Sequence, residues 1–304
     1  IVEAIAGSHE VTVIDNFSSG KRENLDGFKN VQVIEGSICD PGLLRDAFSD
    51  ADGIFHLGAI ASVARSVDDP ASTHETNLTG TLNVLLAARD CGVKKVVFSS
   101  SSAVYGDEPT LPKRENMPPV PLSPYAVSKL AAEYYVRSIG DLWGIETVSL
   151  RVFNAYGPGQ HIPASHPPVI MSMLRQALRG GTIMVHGDGT QTRDYVFVDD
   201  VVNAMIAAST APDLDNRVIN VGSGQETSVR ELVQMVLELT GTRAEVLYNP
   251  RTDPGVSRMR ADLNLAKDRL GYAPRIALLD GLRLTLERDL RFRKTGTGRL
   301  TRSW

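Results

Sequence analysis

Two side chains that could transfer a proton, Tyr125 and Lys129, lie four residues apart in the segment SPYAVSK. On a helix, residues at this spacing share one face, so the phenol and the ammonium would lie side by side. A neighbouring ammonium favours the phenolate and is expected to lower the tyrosine pKa from about 10. A tyrosine with such a pKa can act as a general acid or base near neutral pH.

Four consecutive serines, 99–102, end an apolar segment about 25 residues before Tyr125. The pattern Tyr-x-x-x-Lys is common by chance. A strand that ends in hydroxyls, followed by a helix that opens with Ser-Pro-Tyr, is much more specific. We interpret the combination of hydroxyl, phenol and ammonium as a candidate catalytic centre.

Short apolar segments rich in β-branched residues indicate the strands that would position these groups. They cover 9–16, 31–36, 53–59, 94–101 and 146–154. Helical patterns separate them, notably at 76–91 and 125–139. Strands that are apolar nearly throughout and alternate with helices predict an α/β fold with a doubly wound parallel Rossmann sheet covered on both faces. Such sheets bind ligands beyond the carboxyl ends of their strands, where the serines fall.

The sequence changes character after Asn154, where turn-forming residues precede a predicted helix at 169–179. The strand-like segments YVFV and NRVINVGSG are predicted to return to the main sheet. The remainder is predicted to form a smaller α-rich lobe. The domain prediction assigns 1–154 and 194–222 to an NAD-binding Rossmann domain, and 155–193 and 223–304 to a C-terminal substrate lobe.

The composition excludes several other classes of protein. The chain has 304 residues, 22% of them charged, and a formal net charge of -4, which is not the basic balance of a nucleic-acid-binding protein. Cys39 and Cys91 lie in unrelated contexts and the histidines are dispersed, so we predict no disulfide framework and no metal site, and we favour a cytoplasmic setting. No apolar run approaches the roughly 20 residues of a membrane span, so we predict no membrane partner.

An acidic residue, Asp15, ends the first predicted strand. In a dinucleotide-binding unit an acid at this position accepts hydrogen bonds from the adenosine ribose, although a lone Asp is more often a turn or cap residue. The glycine-rich phosphate turn that should lie about 20 residues earlier is absent, and the first ten residues are typical of the second half of the helix that such a turn opens. We therefore expect a glycine-rich turn upstream of Ile1.

The order of motifs along the chain resembles that of the extended short-chain dehydrogenase/reductase family, and within it the UDP-glucose 4-epimerase-like, NAD-dependent nucleotide-sugar epimerases. The resemblance covers essentially the whole chain and rests on VIDNFSSGKREN, FSSSSAVYGD, PLSPYAVSK, LRVFNAYGPGQ, GDGTQTRDYVFVDD, NVGSG and ADLNLAKDRLGY. It implies an enzyme that binds NAD and a UDP-sugar and that epimerises UDP-glucose and UDP-galactose through a transient 4-keto sugar.

The resemblance also implies catalytic roles. In the family the catalytic hydroxyl lies four residues before the motif tyrosine, here Tyr105, which selects Ser101. Tyr125 is implied as the acid or base, and Lys129 as a catalytic residue that also binds the nicotinamide ribose. The neighbouring serines are expected to be strand-end or turn hydroxyls, with Ser99 close to the cofactor.

The family's cofactor contacts fall on the ends of the first five strands and on the helices that follow them. They correspond to Asp15, Asn16, Ser19, Gly20, Ser37, Ile38, Leu57, Gly58, Ala59, Asn77, Ser99, Tyr125, Lys129 and Phe153. Ser37 departs from the family pattern, because relatives have an aspartate that contacts adenine at this position. A serine accepts that hydrogen bond less strongly, which weakens this one contact but not the assignment of NAD.

The family's sugar-nucleotide contacts correspond to Ser62, Ser101, Asn154, Val169, His186, Arg193, Arg251 and Met259. The two arginines suit a diphosphate because a guanidinium donates two parallel hydrogen bonds. Met259 falls where relatives place a size-determining side chain, and it is alternatively a core residue at the end of a strand. His161 and His166 lie in a proline-rich loop that is expected to cover the cleft without chemistry.

Several alternatives to this function stay open. The substrate could be UDP-N-acetylglucosamine or UDP-glucuronate, the reaction could be 4,6-dehydration or decarboxylation, or the protein could be a non-catalytic NAD-binding regulator. Dehydratases and decarboxylases carry acidic side chains just after the catalytic hydroxyl, where this chain has Ser102 and Ala103.

A homodimer is also expected, because relatives pair the helices that correspond to 76–91 and 125–139. The candidate contacts are Leu82, Val84, Leu85, Ala131 and Tyr135, which alternatively face the sheet.

Overall fold

The computed structural model describes residues 1–163, 165–214, 216–251 and 255–292, in which strands alternate with helices. The strands are β1 (Val11–Asp15), β2 (Val31–Glu35), β3 (Gly53–His56), β4 (Lys95–Ser101), β5 (Glu146–Val152), β6 (Asn154–Tyr156), β7 (Ile183–His186), β8 (Thr192–Arg193), β9 (Tyr195–Phe197), β10 (Arg217–Val221), β11 (Thr227–Ser228) and β12 (Val246–Asn249). The α-helices are α1 (Val2–Ile5), α2 (Pro41–Ala47), α3 (Val63–Asp68), α4 (Pro70–His74), α5 (Gly80–Asp90), α6 (Pro124–Trp143), α7 (Val169–Leu178), α8 (Val198–Thr210), α9 (Val229–Thr240), α10 (Asn264–Leu270) and α11 (Leu278–Arg288).

The main sheet has the strand order β10–β5–β4–β3, and its strands run parallel. Within the described residues, β1 and β2 pair in parallel only with each other, so the sheet is divided into two pieces. The carboxyl ends of these pieces meet where Ile38, just after β2, touches Gly58, just after β3. A Cβ at Gly58 would lie 3.2 Å from the Ile38 side chain.

Both faces of the main sheet are covered, as the side chains of β4 illustrate. Val96 packs in a cluster with Val84 of α5, and Phe98 packs with Val136 of α6. Val97 faces the opposite side, in a cluster with residues of α8 and α10. Successive residues of a strand point to opposite faces, so a strand buried on both sides is apolar throughout. The predicted doubly wound fold class is confirmed.

A second core lies in the C-terminal half, around α7, α9 and α11. Leu174, Val233 and Leu282 are among its buried side chains. Short sheets surround it: β7 pairs with β12 and β6 with β9 in parallel, and β8 pairs with β11 antiparallel. The segment YVFV was predicted to return to the main sheet, but β9 pairs with β6 instead. Tyr195 and Phe197 pack into the second core, which explains this pairing.

The helix predicted over 76–91 is interrupted. A π-turn, Glu75–Thr79, joins α4 to α5. Two of the predicted dimer contacts on this segment are wrong, because Val84 and Leu85 are 2% and 0% exposed and pack in the core. At Gly80 a Cβ would lie 2.7 Å from the side chain of Ile38, so glycine is required for this close approach.

The local sequence sets both ends of α6. The Ser123 hydroxyl accepts a hydrogen bond from Ala126 N at 3.1 Å as the N-cap, and Pro124 occupies the first turn. Gly144, with φ of 66°, ends the helix in a left-handed conformation. These signals place Tyr125 in the first turn of a long helix.

In the part of the chain that the structure describes, no helix is both long and apolar enough to cross a bilayer. Nor do the described residues contain three or more His, Cys, Asp or Glu side chains grouped so that they could hold a metal ion.

Candidate active site

The end of β4 lies against the first turns of α6, which brings together two of the predicted catalytic residues. The Ser101 hydroxyl lies close enough to the Tyr125 phenol to lower its pKa. Ser101 also accepts a hydrogen bond from Ala103 N at 3.2 Å and thereby caps the 3₁₀ turn Ser102–Tyr105. This turn requires Gly106 after it, because φ is 59° there and a Cβ would overlap a carbonyl oxygen. The turn therefore fixes the position of the Ser101 hydroxyl.

The third predicted catalytic residue, Lys129, is held by the same strand. Its Nζ donates a hydrogen bond to the Ser99 carbonyl at 2.8 Å and lies 4.9 Å from the centre of the Phe98 ring. Lys129 is only 3% exposed. The role of Ser99 in the described structure is thus to bind Lys129 through its backbone.

The expected lowering of the Tyr125 pKa by Lys129 is wrong. Burial raises the pKa of Tyr125, and the hydrogen bond from Ser101 opposes this effect. The Lys129 ammonium is committed to the carbonyl of Ser99, and desolvation of the phenolate dominates. Burial likewise lowers the pKa of Lys129 to about 8, against the opposing effect of the Glu133 carboxylate.

A buried histidine, His56, lies next to Lys129 at the end of β3. Its Nε2 is hydrogen-bonded to Thr81 Oγ1 at 2.8 Å, and its ring centre is 5.4 Å from that of Phe98. Burial, with a smaller effect of the Lys129 charge, lowers the pKa of His56 to about 3. A neutral His56 therefore fixes the end of β3 on α5, immediately before the predicted cofactor contact Leu57.

The carboxyl end of β1 contains the predicted adenosine contacts. Asp15 Oδ1 accepts a hydrogen bond from Phe17 N at 2.7 Å, and its Oδ2 has no hydrogen bond from the described residues. Asn16, Ser19 and Gly20 follow on an exposed loop, and a Cβ at Gly20 would lie 3.3 Å from Asp15 Oδ2. A carboxylate oxygen that is available beside a glycine fits the ribose hydroxyls of a dinucleotide.

The ends of β2 and β3 add an apolar wall. Ile38 contacts Gly58, as described above, and Leu57 is 49% exposed although it is large and apolar. The Ser37 hydroxyl accepts a hydrogen bond from Cys39 N at 3.1 Å, which orients it on the loop after β2. Ala59 follows on the same partly exposed loop. These features, together with Asp15, fit NAD.

Asn77 lies in the π-turn and is 1% exposed. Its Oδ1 accepts a hydrogen bond from Ile60 N at 2.7 Å, and its Nδ2 donates to Ile60 O at 3.2 Å and to Ser128 Oγ at 3.0 Å. The Asn77 amide thus ties the loop after β3 to α6. Both of its N–H donors are used within the protein, so in this structure it positions the loop.

Phe153 and Met259 belong to one buried cluster, and both are 3% exposed. Val104 and Tyr105, from the turn that follows Ser101, complete the cluster together with Ala261. The structure thus places Met259 in the core directly behind the candidate active site rather than on an open surface.

Arg193, in β8, is partly buried. Its Nη1 donates hydrogen bonds to Thr192 O at 2.7 Å and to Val256 O at 2.6 Å. Desolvation lowers the pKa of Arg193, with Tyr195 and Asp107 opposing. The backbone therefore orients this guanidinium.

The other predicted sugar-nucleotide contacts come from different elements. His186 ends β7 opposite Asn249 of β12, and Arg251 follows two residues later, so these two exposed side chains share one edge. Ser62 caps α3 by accepting a hydrogen bond from Arg65 N at 3.2 Å. Asn154 starts β6 and Val169 starts α7.

Sequence reasoning missed a buried ion pair between Glu133 of α6 and Arg151 of β5. Nε of Arg151 lies 2.8 Å from Oε1 and its Nη2 lies 2.9 Å from Oε2. The available signal was the position of Glu133, which lies eight residues after Tyr125 and four after Lys129 and therefore shares their helix face. An arginine inside the apolar strand VSLRV was a second signal, because a buried charge requires a partner.

A surface cleft of about 670 Å³ lies at the other end of β1 and β2. It is lined by Gly7–Thr12 and Lys29–Gln32. Because ligands of parallel sheets bind at the carboxyl ends of strands, this cleft is not a candidate for the cofactor site.

A parallel sheet covered by helices, with Ser101, Tyr125 and Lys129 at the end of a central strand, defines a nucleotide-dependent enzyme of the Rossmann type. Residues 1–222 match the NAD dependent epimerase/dehydratase family, and the chain belongs to that family. The predicted family and its cofactor, NAD, are therefore confirmed.

The chain is similar to several nucleotide-sugar epimerases. It is 39% identical over 290 residues to the UDP-glucose 4-epimerase of Mycolicibacterium smegmatis, covering 93% of this chain and 91% of that relative. The crystal structure of a UDP-glucose 4-epimerase from Thermotoga maritima with UDP-glucose is 38% identical, has a TM-score of 0.89, and covers 94% of this chain and 92% of its own. A UDP-N-acetylglucosamine 4-epimerase from Methanobrevibacter ruminantium, in complex with UDP-N-acetylmuramic acid, is 33% identical with a TM-score of 0.90 and the same coverage of the two chains.

Proposed function

We propose that this protein is an NAD-dependent 4-epimerase of UDP-hexoses that interconverts UDP-glucose and UDP-galactose. The observation that supports this most is the contact between the Ser101 hydroxyl and the Tyr125 phenol, with Lys129 bound to the same strand end. Proton transfer at a sugar hydroxyl requires such an acid or base. The similarity of this chain to a UDP-glucose 4-epimerase supports a sugar nucleotide as the substrate.

Epimerisation begins when a sugar carbon loses a hydride and the hydroxyl on that carbon loses its proton. NAD, which Asp15 and Lys129 would help to hold, would supply reversible hydride transfer at C4, so no net redox change would occur. Tyr125 takes the proton of the 4-hydroxyl, directly or through Ser101, and returns it when the keto sugar is reduced. Because burial raises the pKa of Tyr125, the hydrogen bond from Ser101 supports the phenolate that this step needs.

Arg193 and Arg251 are proposed to bind the diphosphate while the 4-keto sugar turns in its pocket. The guanidinium of Arg193 is already oriented by two backbone carbonyls, which reduces the entropy lost on binding. Arg251 is exposed and lies beyond β12 on the edge that also carries His186. Ser62, Asn154 and Val169 are proposed to contribute further contacts to the sugar nucleotide.

The similar proteins include both a UDP-glucose 4-epimerase and a UDP-N-acetylglucosamine 4-epimerase. The name of the relative from Mycolicibacterium smegmatis favours UDP-glucose. Elimination and decarboxylation are disfavoured, because Ser102 and Ala103 provide no acid directly after Ser101.

Incubation with a panel of UDP-sugars tests the proposal. We expect UDP-glucose and UDP-galactose to interconvert to the same equilibrium mixture from either side, without accumulation of NADH. Faster turnover of UDP-N-acetylglucosamine or UDP-glucuronate would contradict the hexose assignment. Release of carbon dioxide or of a stable 4-keto product would contradict epimerisation, and binding of NAD without any turnover would favour a regulator.

A homodimer is also proposed. Tyr134 and Tyr135 of α6 are 56% and 42% exposed, and Val127 of α6 and Val67 of α3 are exposed as well. An aromatic and apolar helix surface of this kind is typical of subunit contacts. A monomeric mass in light scattering at micromolar concentration would contradict this assembly.

The free thiols Cys39 and Cys91 support the proposal of a reducing, cytoplasmic setting.

A further inference from the structure

Three consecutive residues of β4 contact three residues of α6 that are spaced by four. Ser101 contacts Tyr125, the Ser99 carbonyl accepts from Lys129 at 2.8 Å, and the Ser100 hydroxyl donates to Glu133 Oε1 at 2.9 Å. Only the first two pairs involve groups with a role in the proposed reaction.

The third contact, between Ser100 and Glu133, is deeply buried and is part of a longer set of polar contacts. Ser100 and Glu133 are each 3% exposed. Glu133 forms the two-pronged ion pair with Arg151, and the Arg151 guanidinium lies 4.7 Å from the centre of the Tyr105 ring. The Tyr105 hydroxyl in turn donates to Asn220 Oδ1 at 2.7 Å. A continuous set of buried polar contacts therefore joins α6 to β4, β5, β10 and the turn that follows Ser101.

An ion pair removed from water carries a large desolvation cost, so it does not stabilise a fold efficiently. The geometry of such a pair is specific, because the two parallel N–H groups of a guanidinium fit a carboxylate only when both groups lie in one plane. Such a pair can fix the height of a helix along a strand, which apolar packing alone leaves adjustable.

We propose that Ser100, Glu133 and Arg151 are positioning residues that hold α6 on β4 at the height where Tyr125 meets Ser101 and Lys129 meets the Ser99 carbonyl. This inference rests on the proposed function and extends it to residues that do not touch the substrate.

Glu133 also supplies the negative charge that acts on Lys129. The groups around Lys129 are His56 from β3, which is neutral, the Phe98 ring from β4, and Tyr125 and Glu133 from α6. Arg151 from β5 reaches this environment through Glu133. Glu133 thus opposes the fall in the Lys129 pKa that burial causes.

Ser100→Ala tests the positioning role while it leaves the ion pair intact. We expect kcat to fall about tenfold and KM for the UDP-sugar and NAD affinity to change less than twofold, because a displaced reacting group lowers rate more than binding. Ser100→Thr, which keeps the hydroxyl, should recover most of the loss. Thr285→Val is the matched control: it removes a buried hydroxyl from α11, in the second core, and should leave kcat unchanged.

Glu133→Gln combined with Arg151→Met tests the charge without leaving one ion unpaired. The Lys129 pKa, followed by NMR of ε-carbon-labelled lysine and assigned with Lys129→Met, should fall below its wild-type value in this double variant. This measurement needs no substrate, so it tests the inference even if the wild-type protein epimerises no UDP-sugar, which would refute the proposed function separately.

The inference is overturned if Ser100→Ala keeps kcat within twofold of wild type or loses no more than Thr285→Val. It is also overturned if Ser100→Thr is no better than Ser100→Ala, or if the Lys129 pKa is unchanged in the double variant.

Discussion

The β4–α6 contact and the adenosine end of the site, β1 with the loop 16–20, are built in different ways. At the first, Lys129 and Glu133 are each 3% exposed and are bound by residues distant in sequence. At the second, neither β1 nor β2 contains a fully buried residue. The loop is shaped by hydrogen bonds that span two residues, from Phe17 N to Asp15 Oδ1 and from Ser18 N to Asn16 Oδ1.

This difference shows how the two ends of a cofactor site can serve different purposes. Groups that transfer protons must be held in place before the substrate arrives, and buried long-range contacts provide such preorganisation. An exposed loop that only accepts ribose hydroxyls can order when the cofactor binds. Substitutions at the β4–α6 contact should therefore change the rate, whereas those at the adenosine end should change NAD affinity alone.

The largest effect is expected for Tyr125→Phe. It should reduce turnover by about 10²-fold or more, because a positioned acid or base is lost. NAD and UDP-sugar affinities should stay within a few-fold, since the phenyl ring still fills the same space. Steady-state kinetics and equilibrium binding of the purified variant measure both, and near-normal turnover would remove Tyr125 from its proposed role.

Lys129→Met should lower both turnover and NAD affinity, and it should also change how stability depends on pH. The Lys129 pKa is about 8 in the folded protein and returns to its ordinary value of 10.5 on unfolding. Between these values the unfolded chain binds more protons, so the contribution of Lys129 to the free energy of unfolding rises with pH from about 8 to about 10.5.

The difference in free energy of unfolding between wild type and Lys129→Met should consequently shift in favour of wild type from pH 7 to pH 10. Urea denaturation at the two pH values measures it. A difference that stays constant with pH would show that burial does not lower the Lys129 pKa.

Asn77→Ala connects the two regions, because its amide joins the loop after β3 to Ser128 of α6. We expect NAD affinity to fall about tenfold, since a buried amide with three hydrogen bonds is removed. The fall in kcat should be smaller. Ser128→Ala removes only one of these hydrogen bonds and is the graded control. Equal effects of the two variants on NAD affinity would indicate that the loop is not held through Asn77.

Asp15→Asn tests the adenosine end directly. Asparagine can still accept from Phe17 N, so the local turn should survive, but the charge that favours the ribose hydroxyls is lost. NAD affinity should fall about three- to tenfold, as expected when a hydrogen bond to a charged group becomes one to a neutral group. The kcat at saturating NAD should be unchanged. Asp50→Asn, at an exposed site before β3, is the control, and a comparable loss there would point to net charge instead of this contact.

Much of the fold was predictable because its signals are local. The apolar segments and the Tyr125–Lys129 spacing each depend on a few neighbouring residues, and β1–β5 and α6 overlap the segments predicted for them. The division of the sheet and the π-turn before Gly80 were not predicted, since both depend on which elements meet in space.

The site shows the same limit. The meeting of Ser101 with Tyr125 followed from family motifs, whereas the direction of the Lys129 ammonium did not. Glu133 and Arg151 are 18 residues apart and on different elements, so their pairing depends on how α6 packs on β5. A pKa depends on burial as well as on neighbouring charges, which is why the shift at Tyr125 had the opposite sign to the one expected.

The smallest effect is expected at Met259, which packs behind the β4–α6 contact against Tyr105 and Phe153. Methionine is unbranched and flexible, so it could move aside for an N-acetyl group at modest cost. Met259→Ser should then raise kcat/KM for UDP-N-acetylglucosamine relative to UDP-glucose by several-fold. It should also destabilise the protein by about 2–4 kcal/mol, as truncation of a buried methionine does. Met173→Ser, at a site on α7 that is 2% exposed in the second core, is the matched control for stability. If the substrate ratio changes equally in both variants, or in neither, Met259 is a core residue and does not limit the size of the sugar.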